Sequence, residues 1–205
     1  MLDLFGRSPA LIAPGVVLLT AFSDVAVLKS QIEAVSLLAP FRHMTTPGGR
    51  PMGAAMTNCG PLGWVGDRNG YRYEATDPLT GRPWPEMPSA FMTLARRAAE
   101  TAGFGNFKPD ACLINRYAVG VGMGMHRDVD ELDREAPIVS VSLGLTARFV
   151  IRIEGKLQKI ELNEGDVLVF GGPAREAEHG VRPVRHREDS QPTDFRFNLT
   201  LRKAR

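Results

Sequence analysis

Cysteine is scarce: only Cys59 and Cys112 occur in 205 residues, far apart and in no CxxC spacing. That excludes a disulfide framework and a zinc ribbon, and it suits a reducing cytoplasm. Long apolar runs are lacking as well, since no stretch approaches the roughly 20 residues that a membrane span needs. The N-terminal run "ALIAPGVVLLTAF" is broken by Pro14 and Gly15, has only Arg7 ahead of it beside Asp3, and offers no convincing cleavage site. The expectation is a cytoplasmic protein without a membrane partner. A strong excess of either charge is also missing: 25 Lys and Arg face 23 Asp and Glu, and the formal net charge of +2 is too mild to identify a partner. What is present is an ordinary globular composition, 43% hydrophobic and 23% charged, in a length that fits one domain with a continuous core.

Charge is more informative locally. Between Phe41 and Tyr73 stand Arg42, Arg50, Arg68, Arg72 and His43 against a single acid, Asp67, so this segment is expected to carry a positive potential. A second basic cluster, "RPVRHR", covers residues 182–187, with Glu188 and Asp189 close behind it.

The chain divides by texture. "SDVAVLKSQIEAVSLLAP" opens on a capping Ser23 or Asp24, spaces Val25, Leu28, Ile32, Val35 and Leu38 for one helix face, and stops at Pro40. A second helix is predicted in "PSAFMTLARRAAETAG", from Pro88 to Gly103. Between the two lies a stretch dense in Gly and Pro, which predicts loops and short hairpins. From Ala111 onward short period-two runs follow one another, "ACLINRYA", "PIVSVSLGL", "ARFVIRIEGKLQKIEL", "GDVLVFGG" and "DFRFNLTLRK", as in a β barrel or sandwich. The fold class expected is mostly β with flanking helices (α+β), in one domain over 1–205.

"MHRDVDE" places His126, Asp128 and Asp130 at a spacing of two. In extended chain such residues share a face, with His126 and Asp128 about 6.5 Å apart, so both can reach one ion. Four histidines limit the search for a further ligand, and His179 follows the predicted strand "GDVLVFGG". Two His and one carboxylate form the facial triad of non-haem Fe(II), which leaves positions open for substrate and oxygen. A lone His-x-Asp is weak evidence, but the last strand strengthens it. There Arg196, Asn198, Thr200 and Arg202 share one face. If that face is interior, its guanidinium groups need anions, because an unpaired buried charge is costly. In "LINRY", Asn115 and Tyr117 share a face and can hydrogen-bond carboxylate oxygens. A triad beside a diacid pocket implies 2-oxoglutarate.

Taken together, "TNCGPLGW", "NGYRY", "DACLINRYAVG", "HRD", "APIVSVSLGL" and "FRFNLTLR" resemble the AlkB family of Fe(II)/2-oxoglutarate-dependent dioxygenases, over about Phe41 to Arg202 with a trace at "MLDLF". The resemblance implies a double-stranded β-helix, or jelly roll, over 111–202, with a nucleotide-recognition lid at 41–86. It implies Fe(II), 2-oxoglutarate and O2 as cofactor and cosubstrates, and oxidative demethylation of N1-methyladenine and N3-methylcytosine in DNA. By position, His126, Asp128 and His179 would bind iron. Asn115, Arg116 and Tyr117, with Arg196, Asn198 and Arg202, would hold 2-oxoglutarate, Arg196 on the far carboxylate and Arg202 near the metal-binding end. Trp64, Tyr71, Tyr73 and Asp130 would contact the base, while Glu131 and Asp133 are expected to be surface acids. His43 and His186 are expected at the surface or near phosphates. The likeness departs at "RIEGKLQK", a shorter hairpin in which either Arg152 or Lys156 would supply a basic contact, and around Glu176 and Glu178.

An alkylated pairing nitrogen leaves the base cationic and easier to extrude, so Trp64 would stack on it and Asp130 would attract it. The basic clusters would bind phosphates. The partner expected is alkylated DNA, single-stranded by preference, met by a monomer. Two alternatives stand beside this reading: an RNA-directed demethylase, and a non-catalytic jelly-roll binding module that would form no succinate.

Overall fold

The computed structural model describes residues 8–185 and 195–205. The N-terminal "MLDLF", His186, Arg187, Glu188 and Asp189 lie outside the described residues. The chain forms β1 (Ala10–Ala13), β2 (Val16–Leu19), α1 (Val25–Leu38), β3 (Ala55–Cys59), β4 (Gly63–Asp67), β5 (Gly70–Glu74) and α2 (Ser89–Thr101). There follow β6 (Ala111–Tyr117), β7 (Met123–His126), β8 (Ile138–Gly144), β9 (Ala147–Ile153), β10 (Lys156–Leu162), β11 (Val167–Phe170), β12 (His179–Val181) and β13 (Arg196–Arg202).

Seven strands make the major sheet in the order β1-β2-β11-β8-β13-β6-β3, and four make the minor sheet, β10-β9-β12-β7. Every pairing within them is antiparallel. The major sheet therefore reaches outside 111–202: its edge at β1 and β2 comes from the N-terminal apolar run, and β3 comes from within 41–86. The separate hairpin β4-β5 carries Trp64 and Tyr71.

Period two decides which side of the major sheet each residue serves. On one side Val139, Val141, Leu199 and Leu201 pack with Leu28, Ile32 and Val35 of α1 and with Phe91 and Leu94 of α2. On the other side Leu113, Tyr117, Ile138, Leu168 and Phe170 meet Phe149, Ile151 and Val181 of the minor sheet. The major sheet is thus covered on both faces and the minor sheet on its inner face, as in a jelly roll with helices on one side, and each fully buried Leu or Val contributes roughly 1.5–3 kcal/mol.

Asp24 caps α1 by accepting from the Val27 N–H at 3.2 Å. Its buried stripe runs Leu28, Ile32, Val35 and then Ala39, whereas Leu38 is 76% exposed. The expectation for Leu38 is corrected by the 3.6-residue period, which brings position 39 under the helix. In α2, Ala95, Ala98 and Ala99 are fully buried, so this helix lies close on the sheet. The tight turn between β9 and β10 has Glu154 at φ 49° and Gly155 at φ 77°, a left-handed pair that suits a two-residue hairpin.

Candidate metal centre and anion pocket

His126 ends β7 and His179 begins β12, and the two are register partners across the minor sheet. Their ring centroids lie 4.5 Å apart. Asp128, two residues beyond the strand, completes the group: its Oδ1 is 3.7 Å from His126 Nε2 and its Oδ2 is 3.6 Å from His179 Nε2. One ligand atom from each residue lies within 4.8 Å of the others.

The second nitrogen of each ring is already engaged. His126 Nδ1 lies 2.9 Å from Gly124 O, and His179 Nδ1 lies 2.9 Å from Ala177 O. A carbonyl only accepts, so each Nδ1 carries the proton and each Nε2 is left with a free lone pair. Burial, foremost, holds the His179 pKa down at about 4, against the attraction of Asp128. Burial alone would raise Asp128, but Arg202, with His179, His126 and Arg175, outweighs it and holds the carboxyl at about 2. Two imidazole Nε2 atoms facing an ionised carboxylate form a donor set for a divalent metal with open positions.

The same cavity runs between the sheets past Ser140, Arg196, Asn198, Thr200 and Arg202. Arg196 is 1% exposed, and its Nε and Nη1 have no hydrogen-bond partner. Its guanidinium lies 5.4 Å from the Tyr117 ring centroid, and burial pulls its pKa down. A buried cation with open donors is a cradle for an anion. Asn198 braces the wall, donating from Nδ2 to Ser140 Oγ at 2.8 Å and to Val141 O at 3.0 Å. Asn115 is buried with its Oδ1 unpartnered. Burial keeps the Tyr117 phenol neutral and so a donor. Arg202 sits at the metal end, donating to Asp128 Oδ2 at 2.7 Å and to the Tyr73 hydroxyl at 3.1 Å.

Arg116 is not in this cavity. Its guanidinium lies 4.7 Å from the Phe41 ring and 4.9 Å from that of Phe195, on the opposite face of β6. The same alternation that turns Asn115 and Tyr117 inward turns it out.

On the hairpin, Trp64 stacks on Tyr71 with centroids 5.2 Å apart and donates from Nε1 to Asp130 Oδ2 at 2.8 Å. Tyr71 is 41% exposed, whereas Tyr73 is buried and donates to Glu131 Oε1 at 2.5 Å. Tyr73 therefore faces the charge network and not the outer surface. Glu131, expected at the surface, is 2% exposed. It pairs with Arg175 at 3.1 Å, and its Oε1 lies 3.5 Å from Arg202 Nε, too far and ill-aimed for a hydrogen bond. Arg175, which no motif marked, also donates to Asp128 O and Ala136 O, each at 2.9 Å.

The basic segment is less free than its composition suggests. Arg42 holds Asp77 through two bonds of 2.7 Å, and Arg72 pairs with Asp67 and Glu74. His43 Nδ1 lies 2.8 Å from Met52 O. Arg152 is engaged by Glu178 at 3.0 Å and Arg134 by Glu176 at 3.1 Å.

Comparison with known proteins adds four likenesses. Residues 15–202 match the model of the 2OG-Fe(II) oxygenase superfamily. The chain is 47% identical over 214 residues to the alpha-ketoglutarate-dependent dioxygenase AlkB of Salmonella typhimurium, covering 100% of this chain and 98% of that one. It is 29% identical over 225 residues to the DNA N(6)-methyladenine demethylase ALKBH1C of Arabidopsis thaliana, covering 98% of this chain and 49% of that one. The solved structure of OsALKBH1 superposes with a TM-score of 0.80 at 26% identity, over 95% of this chain and 99% of that one.

Proposed function

We infer the function from one premise: the chain belongs to the AlkB family of 2OG-Fe(II) dioxygenases. It is an oxidative demethylase of alkylated nucleic-acid bases that uses Fe(II), 2-oxoglutarate and O2. The base nitrogen regains its lone pair, the methyl carbon leaves as formaldehyde, and 2-oxoglutarate leaves as succinate and CO2.

The geometry supports the following residue roles. His126, Asp128 and His179 would hold the metal, each His offering its Nε2 and Asp128 a carboxylate oxygen. Arg196 would take the far carboxylate of 2-oxoglutarate, with Asn198 on the cavity wall and Arg202 at the metal end, while Tyr117 stands beside the Arg196 guanidinium and Asn115 is the register partner of Asn198. Metal and cosubstrates together supply the oxidising power that inserts oxygen at the N-methyl carbon. The chain's own contribution is to orient and enclose the reactants. Trp64 and Tyr71 form a stacked platform for a flipped base, and Asp130 beside the indole attracts a cationic ring and accepts from its exocyclic amine. In the hydroxymethyl product the C–N bond breaks toward nitrogen, the hydroxyl proton leaves to water, and the ring becomes neutral.

The substrates that fit are N1-methyladenine and N3-methylcytosine in single-stranded DNA, with RNA as a second polymer. As part of this reading the protein acts as a cytoplasmic monomer, with 41–86 as its recognition lid. The observation that carries this reading is the unpartnered, buried Arg196 in the cavity walled by the His, Asp and His side chains. Anaerobic loading with Fe(II) and 2-oxoglutarate, then oxygen with a methylated trinucleotide, tests it. Formaldehyde and succinate should appear in equal amounts. Succinate without formaldehyde would sink the assignment to methylated bases, and neither product would sink the enzyme.

A further inference from the structure

The outer face of the minor sheet carries a groove that the reaction does not use. It is about 860 Å³, and its floor and walls include Arg148, Lys159, Arg182 and Arg185. All four are exposed. Opposing them is one carboxylate, Glu161, which pairs with Arg148 at 3.1 Å. Lys159, Arg182 and Arg185 have no acidic partner among the described residues.

Strand register gathers these side chains. Arg148 stands opposite Glu161, and Lys159 opposite Val150, in the pairing of β9 with β10. The Arg182 N–H donates to Arg148 O at 2.9 Å, continuing the pairing of β12 with β9. Because His179 pairs with Ile151 and faces inward, residues 180 and 182 face outward. The groove and the metal centre therefore lie on opposite sides of one sheet. Arg182 is three residues beyond His179, about 10 Å of extended chain, or the rise of about three stacked nucleotides at 3.4 Å each.

We propose that this groove binds the phosphates of the substrate strand after it has left the pocket mouth and turned round the β7 edge of the minor sheet. The proposal rests on the nucleic-acid reading above and gives it a length dependence. Four cations against one carboxylate suit a continuous polyanion, and exposed arginines and lysines contact its backbone without reading sequence. A trinucleotide with its lesion in the pocket is too short to reach the groove. A strand of about 15 nucleotides reaches it.

The test compares wild type with the triple variant Lys159→Glu, Arg182→Glu, Arg185→Glu. Each enzyme is loaded anaerobically with Fe(II) and 2-oxoglutarate and titrated with a methylated trinucleotide or a 15-mer at several salt concentrations. For the 15-mer, affinity should fall at least tenfold, and the slope of log K against log salt should shrink by about 2, as expected for three lost contacts at about 0.7 each on a single strand. Trinucleotide affinity and turnover should stay within twofold. An unchanged 15-mer affinity and slope would overturn the proposal. So would an equal loss on the trinucleotide, since the substitutions would then act through the fold. Because the decisive readout is binding, a wild type that binds both strands but releases no formaldehyde would refute the demethylase reading and leave the groove judged on its own slope.

Discussion

Arg175 and Glu131 face each other at 3.1 Å with side chains 3% and 1% exposed, and Arg175 also holds the main-chain oxygen of the metal-site residue Asp128. The pair ties the loop after β7 to the turn before β12, the two segments that must meet for a metal to be held.

Breaking this pair by removing Arg175 leaves the buried Glu131 carboxylate without its bonded cation, with only the Tyr73 hydroxyl at 2.5 Å and the ill-aimed Arg202 Nε at 3.5 Å beside it. Arg175→Met should cost roughly 3–5 kcal/mol of stability, read as a shifted midpoint in urea unfolding. Adding Glu131→Leu should restore part of the loss, because the uncompensated carboxylate goes with it. A single variant as stable as wild type would show that water reaches Glu131.

Arg196 makes the opposite prediction. Its cation is buried with no acidic partner among the described residues, so Arg196→Met should leave the metal-free, ligand-free protein as stable as wild type or more so. The same change should weaken 2-oxoglutarate binding at least thirtyfold, since losing one side of a buried charge pair typically costs 2–5 kcal/mol. Thermal melting with and without 2-oxoglutarate separates the two effects: the wild type should gain stability from the ligand and the variant should not.

At the hairpin, Trp64→Phe keeps a ring on Tyr71 but removes the N–H that Asp130 accepts. KM for a methylated trinucleotide should rise a few fold, by about 1 kcal/mol for one hydrogen bond, with kcat nearly unchanged. Trp64→Ala also removes the stacking surface, worth about 1–3 kcal/mol per base, and should lose ten- to a hundredfold in kcat/KM. Equal kinetics for the Phe and Ala variants would remove the platform role.

The sequence made some of this legible, for physical reasons. Period two in β13 put Arg196 and Arg202 on the face away from Leu199 and Leu201, and flanking helices on the apolar side forced the charged face inward. The same rule turns Arg116 outward, so its placement beside Phe41 and Phe195 was readable once Asn115 and Tyr117 were taken as interior. Glu131 and Arg175 were not readable. They lie in irregular segments 44 residues apart, and no local period says that two such charges meet away from water. Arg42 was hidden in the same way, because its acid, Asp77, lies beyond the segment whose charges look unbalanced. The jelly-roll edge formed by β1 and β2 also escaped notice, since an apolar run with a Pro-Gly turn shows its hairpin only when β11 is there to pair with it.

The metal site sets the acid dependence of the metal-free protein. His179 titrates near 6.5 in an unfolded chain and is held at about 4 in the fold, burial being the main cause. Between these values the unfolded chain takes up a proton that the folded one refuses. Stability is therefore complete above pH 6.5 and is lost as pH falls toward 4, by roughly 3 kcal/mol. Asp128, held at about 2 by Arg202 and its neighbours against the effect of burial, adds a further loss only below about pH 4. Urea unfolding of the metal-free protein from pH 7 to 4.5 should show the first loss, and His179→Gln should flatten it. Saturating Mn2+ should raise stability at pH 7, by about 2.7 kcal/mol at a hundredfold excess over its Kd. It should also steepen the acid loss, because the metal competes with protons for the same Nε2 atoms. A His179→Gln profile parallel to wild type would mean that this imidazole is not the buried neutral ligand its surroundings describe.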